Sequence, residues 1–369
     1  MKEIKSIGFI GFGLIGGSIA RLLRTKDSSL DLFAYDYHKN APAPGLVLAR
    51  SEGVLSRITG ELSSFSEADL VFLCAPVSKN IEYLSALKGI IREDCILTDV
   101  GSVKGDIAQA ADNLGLSRQF IGGHPMAGSE QTGYANSSTM LLENAYYILT
   151  PTKYTPDKVT EYMVRLVEDF HAIPVVLDAG KHDALTAAVS HLPHIIAAQL
   201  VNLVRTSDDE KEQMRMLAAG GFKDITRIAS SSPAMWQAIC MSNPVSIKEI
   251  LDRYIASLKE VSDAIARRDA DYFYRIFEEA GTYRASIPNA KGMLNRFFEI
   301  FIDISDEAGA IATIATLLGA NGINIKNIGI IHNREFEQGV LRIEFYEEDA
   351  LLKGKRLLSA HNYTLYERG

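Results

Sequence analysis

Residues 7–20 read IGFIGFGLIGGSIA, with Gly11, Gly13 and Gly16 at GxGxxG spacing between a short apolar run and an apolar helical pattern (Leu14, Ile15, Ile19, Leu22, Leu23). That order is strand, tight turn, helix, and few architectures accept it. Gly11 permits the turn, Gly13 lets backbone approach a pyrophosphate, and Gly16 lets the helix lie close on the strand. The phosphates then sit on the unpaired N–H groups that open the helix at Leu14 and Ile15. Alone, the motif also fits a glycine-rich turn. The context separates the two readings: twenty residues past Gly16 a second apolar run, LFAY, ends in Asp36, a carboxylate placed to accept from both ribose hydroxyls. An acid there with no arginine directly after it favours NAD over NADP, whose 2′-phosphate it would repel, although His38 and Lys39 stand close by.

A chain of 369 residues exceeds what one core usually supports, so two or three domains are expected. The balance of 47% hydrophobic and 23% charged residues is that of a soluble globular protein, and a net charge of −8 without a basic stripe argues against nucleic-acid binding. The opening Met1 to Lys5 lacks a signal peptide's apolar core and no uncharged apolar run approaches the ~18 residues of a membrane span, so a cytoplasmic location is expected. Cys74, Cys95 and Cys240 are odd in number and lie in apolar runs, which reads as buried thiols rather than disulfides or metal ligands.

Residues 1–152 alternate short apolar runs with helical segments, the pattern of an α/β Rossmann-like, doubly wound parallel sheet. After the first two strands come 70–74, 96–100, 120–121 and 146–149. Their carboxyl ends carry Ala75 and Pro76, then Asp99 to Ser102 with Gly101 between, then Gly122, Gly123 and His124. In open α/β sheets the ligand cleft lies outside those ends. Ala75, Pro76 and Gly101 therefore join Gly11, Gly13, Leu14, Ile15, Gly16 and Asp36 as candidate cofactor contacts. Residues 153–295 read as an all-α domain with one short strand candidate at 175–177. Leu185, Val189, Leu192, Ile196, Leu200 and Leu203 mark a buried stripe on a long helix that Pro193 should kink, turning His191 and His194 toward one pocket. So apolar a helical block needs a partner surface, which suggests a homodimer. Residues 296–369 read as βαββαβ, a small α+β module.

His124, in GGHPMAGSE, is the candidate base: neutral imidazole can take a hydroxyl proton as hydride leaves carbon. Ser102, in DVGSVKG, is either a helix N-cap or a group facing the cleft. Arg227 sits in an apolar and small stretch where an unpaired guanidinium is costly, so it pairs either with Asp224 or with a ligand carboxylate. His191 and His194 at three-residue spacing, with no acid or cysteine on the same face, make a poor metal site, and no metal is expected.

GFGLIGGSIA with Asp36, DVGSVK, GGHPMAGSE, SHLPH and GGFKDITRIASSSPAMW, in that order, closely resemble the prephenate dehydrogenases of tyrosine biosynthesis over residues 6–295. The resemblance implies NAD-dependent oxidative decarboxylation of prephenate to 4-hydroxyphenylpyruvate, with arogenate as the alternative substrate. It implies further that His124 takes the 4-hydroxyl proton, Ser102 helps hold that hydroxyl, Arg227 clamps a substrate carboxylate and His194 is a second polar contact. Ser129 and Glu130 match residues near the mouth of the site, and Gly220 and Trp236 a segment that reaches across a dimer. The tail resembles an ACT domain, its helix entry at 306–309, and implies either tyrosine binding or a role in assembly. Homoserine and phosphoglycerate dehydrogenases share the two ends of such a chain but lack the GGHPMAG and SHLPH middle. A silent amino-acid sensor would have no need of His124, Ser102 and Arg227 together.

Overall fold

The computed structural model describes residues 3–37, 41–128, 131–287, 298–304, 307–331 and 339–366. His38, Lys39, Ser129, Glu130 and Asp306 lie outside the described residues. Strands β1 (Ser6–Ile10), β2 (Asp31–Tyr35), β3 (Arg57–Thr59), β4 (Leu70–Leu73), β5 (Ile96–Asp99), β6 (Phe120–Pro125), β7 (Tyr146–Pro151) and β8 (Ile173–Val176) form one sheet in the order β3-β2-β1-β4-β5-β6-β7-β8. Helices α1 (Leu14–Lys26), α2 (Pro44–Ser51), α3 (Val77–Leu87), α4 (Gly105–Asn113) and α5 (Asp157–Asp169) connect them. Successive strand residues are apolar because both faces are covered. Ile7, Phe9, Leu70 and Phe72 share a core with α1, α2 and α5, while Ile10, Val71, Leu73 and Leu97 share another with α3 and α4. The chain leaves β1 toward β2 and β3 and returns at β4 on the other side, so the ends of β1 and β4 flank the switch point.

Three expectations are corrected here. The sheet is not wholly parallel: β6 and β7 pair antiparallel, with His124 opposite Ile148, and His124 stands inside β6 rather than after it. The sheet does not end at 152 either, because α5 and β8 complete a last parallel crossover beside β7. Nor do sheet and helices separate into two bodies, since residues 1–284 form one compact unit. Among the contacts that join them, Trp236 and Ile239 pack into the core of α3 and α4, and Asp183 accepts the N–H groups of Lys104 and Gly105.

The helical part runs through α6 (Ala179–Thr186), a π-helical turn (Ala187–His191), α7 (Leu192–Ser207), α8 (Gln213–Leu217), α9 (Gly220–Thr226), α10 (Pro233–Ser242), α11 (Pro244–Arg267) and α12 (Ala270–Ser286). The irregularity expected from Pro193 takes the form of that π turn, a wider ring that accommodates the missing N–H without ending the helix. The apolar stripe is not buried as expected: Val189 is 68% and Leu203 61% exposed, whereas Leu192 is buried. Residues 184–204 also carry no Asp, Glu, Lys or Arg, so that Ala179–Ser207 is long and apolar enough to cross a membrane by length and composition, contrary to the sequence reading. It is nevertheless tied to the sheet through the Asp183 bonds.

The second unit, residues 285–369, contains β9 (Phe298–Ile304), α13 (Ala310–Ala320), β10 (Ile325–Ile331), β11 (Gly339–Phe345), α14 (Glu348–Ala360) and β12 (Leu365–Tyr366). Its sheet is antiparallel in the order β10-β11-β9-β12. Ile300, Ile302, Ile314, Leu318, Leu341, Ile343 and Leu358 form its own core.

Candidate active site

The three glycines of the first turn each answer a different steric demand. Gly11 has φ +83°, and a Cβ there would lie 2.5 Å from the Ala75 backbone nitrogen, so the ends of β1 and β4 approach only through a glycine. A Cβ on Gly16 would stand 3.0 Å from the Gly11 carbonyl oxygen and 3.2 Å from Cys74 Sγ, which sets how closely α1 lies on the sheet. Gly13 caps α1 without a side-chain hydrogen bond, and a Cβ there would meet nothing within 4 Å. Its backbone therefore faces open space beside the unpaired N–H groups of Leu14 and Ile15, the cradle a pyrophosphate requires. A cleft of about 570 Å³ opens here, lined among others by Gly13, Asp36, Ala75, Pro76, Tyr83 and Tyr134. Asp36 is buried and its carboxylate accepts the Ala43 N–H.

Gly101 does not line this cleft; its N–H donates to Asp99 Oδ2 at 2.8 Å. Sequence reading missed Tyr134, which stacks on Phe12 at 5.3 Å, lies under the Arg21 guanidinium and donates to Glu52 Oε2. Two distant glycines make room for it: a Cβ on Gly17 would fall 2.6 Å from its ring and one on Gly45 3.1 Å from its Cβ.

The glycines before His124 have a different cause. Asp99 and Lys104 form a wholly buried ion pair under β6, and Lys104 Nζ also donates to the Gly123 carbonyl at 2.7 Å. A Cβ on Gly123 would lie 2.5 Å from the Asp99 carbonyl oxygen, and one on Gly122 would lie 2.2 Å from Thr150 Oγ1 and 3.1 Å from Lys104 Cδ. With no side chain at those two positions, β6 lies close on β5 and β7, and the buried pair reaches the residue before His124.

His124 Nδ1 lies 2.8 Å from His182 Nε2, and His182 Nδ1 lies 2.7 Å from Asp183 Oδ1. Asp183 Oδ1 also accepts the Lys104 N–H at 2.8 Å and Oδ2 accepts the Gly105 N–H at 2.7 Å. The N-terminus of α4 is thus capped from α6. This corrects the reading of Ser102 as N-cap: the helix begins at Gly105, and Ser102 is half-buried on the turn before it. Burial, followed by the neighbouring His182, Lys104 and His191, holds the His124 imidazole well below its ordinary pKa of 6.5. It is a neutral base at neutral pH.

Asn243 Nδ2 donates to the Asp183 carbonyl at 2.8 Å and approaches His191 Nδ1 at 3.4 Å. Burial pushes His191 down to about 4. His194 donates from Nδ1 to the Ser190 carbonyl at 2.9 Å, which leaves Nε2 as its available nitrogen, and stacks on Trp236 at 3.8 Å. His191 meets the same indole edge-on, so the π turn does bring both imidazoles to one aromatic ring. The buried Trp236 Nε1–H has no partner among the described residues. Arg227 is exposed on a 3₁₀ turn (Arg227–Ser230) that packs against α7, the helix of His194, while Gly220 lies exposed at the start of α9. Among the described residues no cluster of His, Cys, Asp or Glu could hold a metal ion.

Residues 19–176 match a family model described as the nucleotide-binding domain of prephenate dehydrogenase, and residues 178–279 match its dimerization domain. The chain belongs to the prephenate dehydrogenase family. Prephenate dehydrogenase of Bacillus subtilis is 36% identical over 365 residues, 98% of this chain and 97% of that one. Its counterpart in Lactococcus lactis is 33% identical, over 96% and 98% of the two chains. A crystal structure of prephenate dehydrogenase from Aquifex aeolicus in complex with hydroxyphenyl propionate and NAD+ superimposes with a TM-score of 0.72 at 31% identity, covering 78% of this chain and 99% of that one. Arogenate dehydrogenase of Synechocystis gives 0.68 at 27%, covering 76% and 99%. The family boundary near residue 177 falls where the sheet ends at β8, not at the 152 read from sequence.

Proposed function

We propose that this chain is an NAD-dependent prephenate dehydrogenase in which His124 is the base. The observation that carries the reading is His124 itself, a half-buried, neutral imidazole near the carboxyl end of β6 whose Nδ1 is engaged by His182, leaving Nε2 for substrate. The open cradle at Gly13 and the Asp36 carboxylate fit NAD, which when bound supplies the hydride acceptor for C4 of prephenate. His124 Nε2 takes the 4-hydroxyl proton as C4 becomes a carbonyl carbon. The pair of the bond to the departing carboxyl group then passes into the ring, and the phenolate oxygen recovers its proton from His124. Ser102, on the turn ahead of α4, helps hold the hydroxyl. Arg227 clamps a carboxylate, with His194 Nε2 and the Trp236 Nε1–H, which has no partner among the described residues, as further polar contacts. Gly101 stays a cofactor contact only through its carbonyl or Cα, its N–H being taken by Asp99.

Mixing the protein with NAD or NADP and either prephenate or arogenate, and following NADH absorbance, tests reaction and substrate together. Prephenate with NAD is expected to give the largest kcat/KM; no NADH with either substrate would refute the reading. Arg227→Ala is expected to raise KM for substrate by about 10²-fold with a smaller change in kcat, as loss of a charge-assisted bidentate contact does; an unaltered KM would return Arg227 to a structural pairing.

The exposed Val189, Leu203, Ile255, Leu258 and Ile265 suit burial against a second copy, in keeping with a dimerization-domain match, and the tail suits an ACT-like regulatory module responding to tyrosine. We place the enzyme in the cytoplasm. Light scattering tests the dimer, and tyrosine inhibition measured with and without residues 297–369 tests the tail.

A further inference from the structure

Two side chains stand in line behind the base His124: His182 and Asp183, linked at 2.8 and 2.7 Å. His182 is fully buried and Asp183 nearly so. Both oxygens of Asp183 already accept backbone N–H groups from Lys104 and Gly105. An acceptor so used is a carboxylate, and it can only receive from His182 Nδ1–H. With one proton on the His182 ring, held by Asp183, its lone pair lies on Nε2 and receives from His124 Nδ1–H. The proton positions along the line are dictated from its buried end. Because a neutral imidazole carries one N–H, the lone pair of His124 is left on Nε2.

We propose that His182 and Asp183 are positioning residues for the reaction, a two-step relay that fixes the tautomer of His124 and shares the proton it takes. This rests on the reading of His124 as base. When the substrate O–H bond breaks and a bond to His124 Nε2 forms, the Nδ1 proton of His124 shifts toward His182 Nε2, and the positive charge spreads onto an imidazole that Asp183 holds. The reverse shift returns the proton when the phenolate needs it, so the relay is unchanged over a turnover. A single aspartate behind a catalytic histidine does the same in hydrolase triads, where removing its charge reverses the tautomer and costs several orders of magnitude. Here a second imidazole is interposed because Asp183 is committed to the α4 N-terminus and sits one ring further from the cleft. The remaining titratable neighbours are Lys104, paired with Asp99, Asp106, which faces Asp183, and His191, which burial keeps neutral at pH 7.

The test uses the full chain with NAD and prephenate. Asp183→Asn removes the negative charge behind His182 and is expected to lower kcat by about 10²-fold or more with KM within threefold. Since Asp183 also caps α4, His182→Gln, which leaves that cap intact, is measured beside it and is expected to lower kcat about tenfold or more. ¹⁵N NMR of the unsubstituted protein is expected to show His124 protonated on Nδ1 and bare on Nε2. Near-normal kcat in both variants, or an Nε2-protonated His124 in the unsubstituted protein, would overturn the relay. Retained turnover in His124→Asn would instead remove the base assignment, and the NMR result still decides whether the line of protons exists.

Discussion

Replacing His124 by asparagine is expected to lower kcat by two to four orders of magnitude while KM for prephenate changes only a few-fold. The amide is short enough to fit within β6 and can still bond to His182, so what is lost is the titratable nitrogen rather than the local packing. The size follows from what the base contributes: without it the 4-hydroxyl proton must leave to water as hydride departs. The pH dependence adds a sign. Burial and the neighbouring His182, Lys104 and His191 disfavour the charged imidazole, so its folded-state pKa lies below 6.5 and the neutral, working form persists as pH falls through 6.5. The acid limb of kcat/KM should therefore lie below pH 6.5 in the unsubstituted enzyme, and His124→Asn should lose that limb. A limb centred above 6.5, or near-normal turnover in the variant, would exclude this imidazole as the base.

What could be read from the sequence is what depends on near neighbours. The turn at Gly11, the carboxylate at 36 and the strand leading to His124 are each set within a few residues, and the structure places Gly11, Gly13, Asp36, Ala75 and Pro76 around one cleft. The groups that tune the base were invisible for the opposite reason. His182 is 58 positions from His124, and the α4 N-terminus is capped by Asp183, 79 positions from Lys104. Local reasoning offered Ser102 for that cap because it was the polar residue at hand. The helical stripe failed differently: periodicity reports that a face is apolar but not what covers it, and Val189 and Leu203 face outward in the single chain.

Lys104→Met is expected to destabilise the first unit by about 3–5 kcal/mol, the cost of breaking a buried ion pair by removing one partner. Both groups of the Asp99–Lys104 pair are fully buried, so the carboxylate left behind cannot turn to water. Its N–H partners, Gly101 at 2.8 Å and Gly123 at 3.2 Å, soften the loss without neutralising the charge. Methionine nearly matches the aliphatic stem beneath Gly122, which keeps cavity formation out of the comparison. The melting temperature should fall by roughly 5–10 °C. Activity should fall as well, because the Gly123 carbonyl that Nζ holds belongs to the residue before His124. Asp99→Asn combined with Lys104→Met should recover more than half of the lost stability, since the amide oxygen still accepts one of the two backbone N–H bonds and no bare charge remains. If the single variant melts within about 1 °C of the unsubstituted protein, the pair is not the charged brace beneath β6 that its burial implies. If the double variant is less stable than the single one, the loss arises from packing rather than from the uncompensated carboxylate.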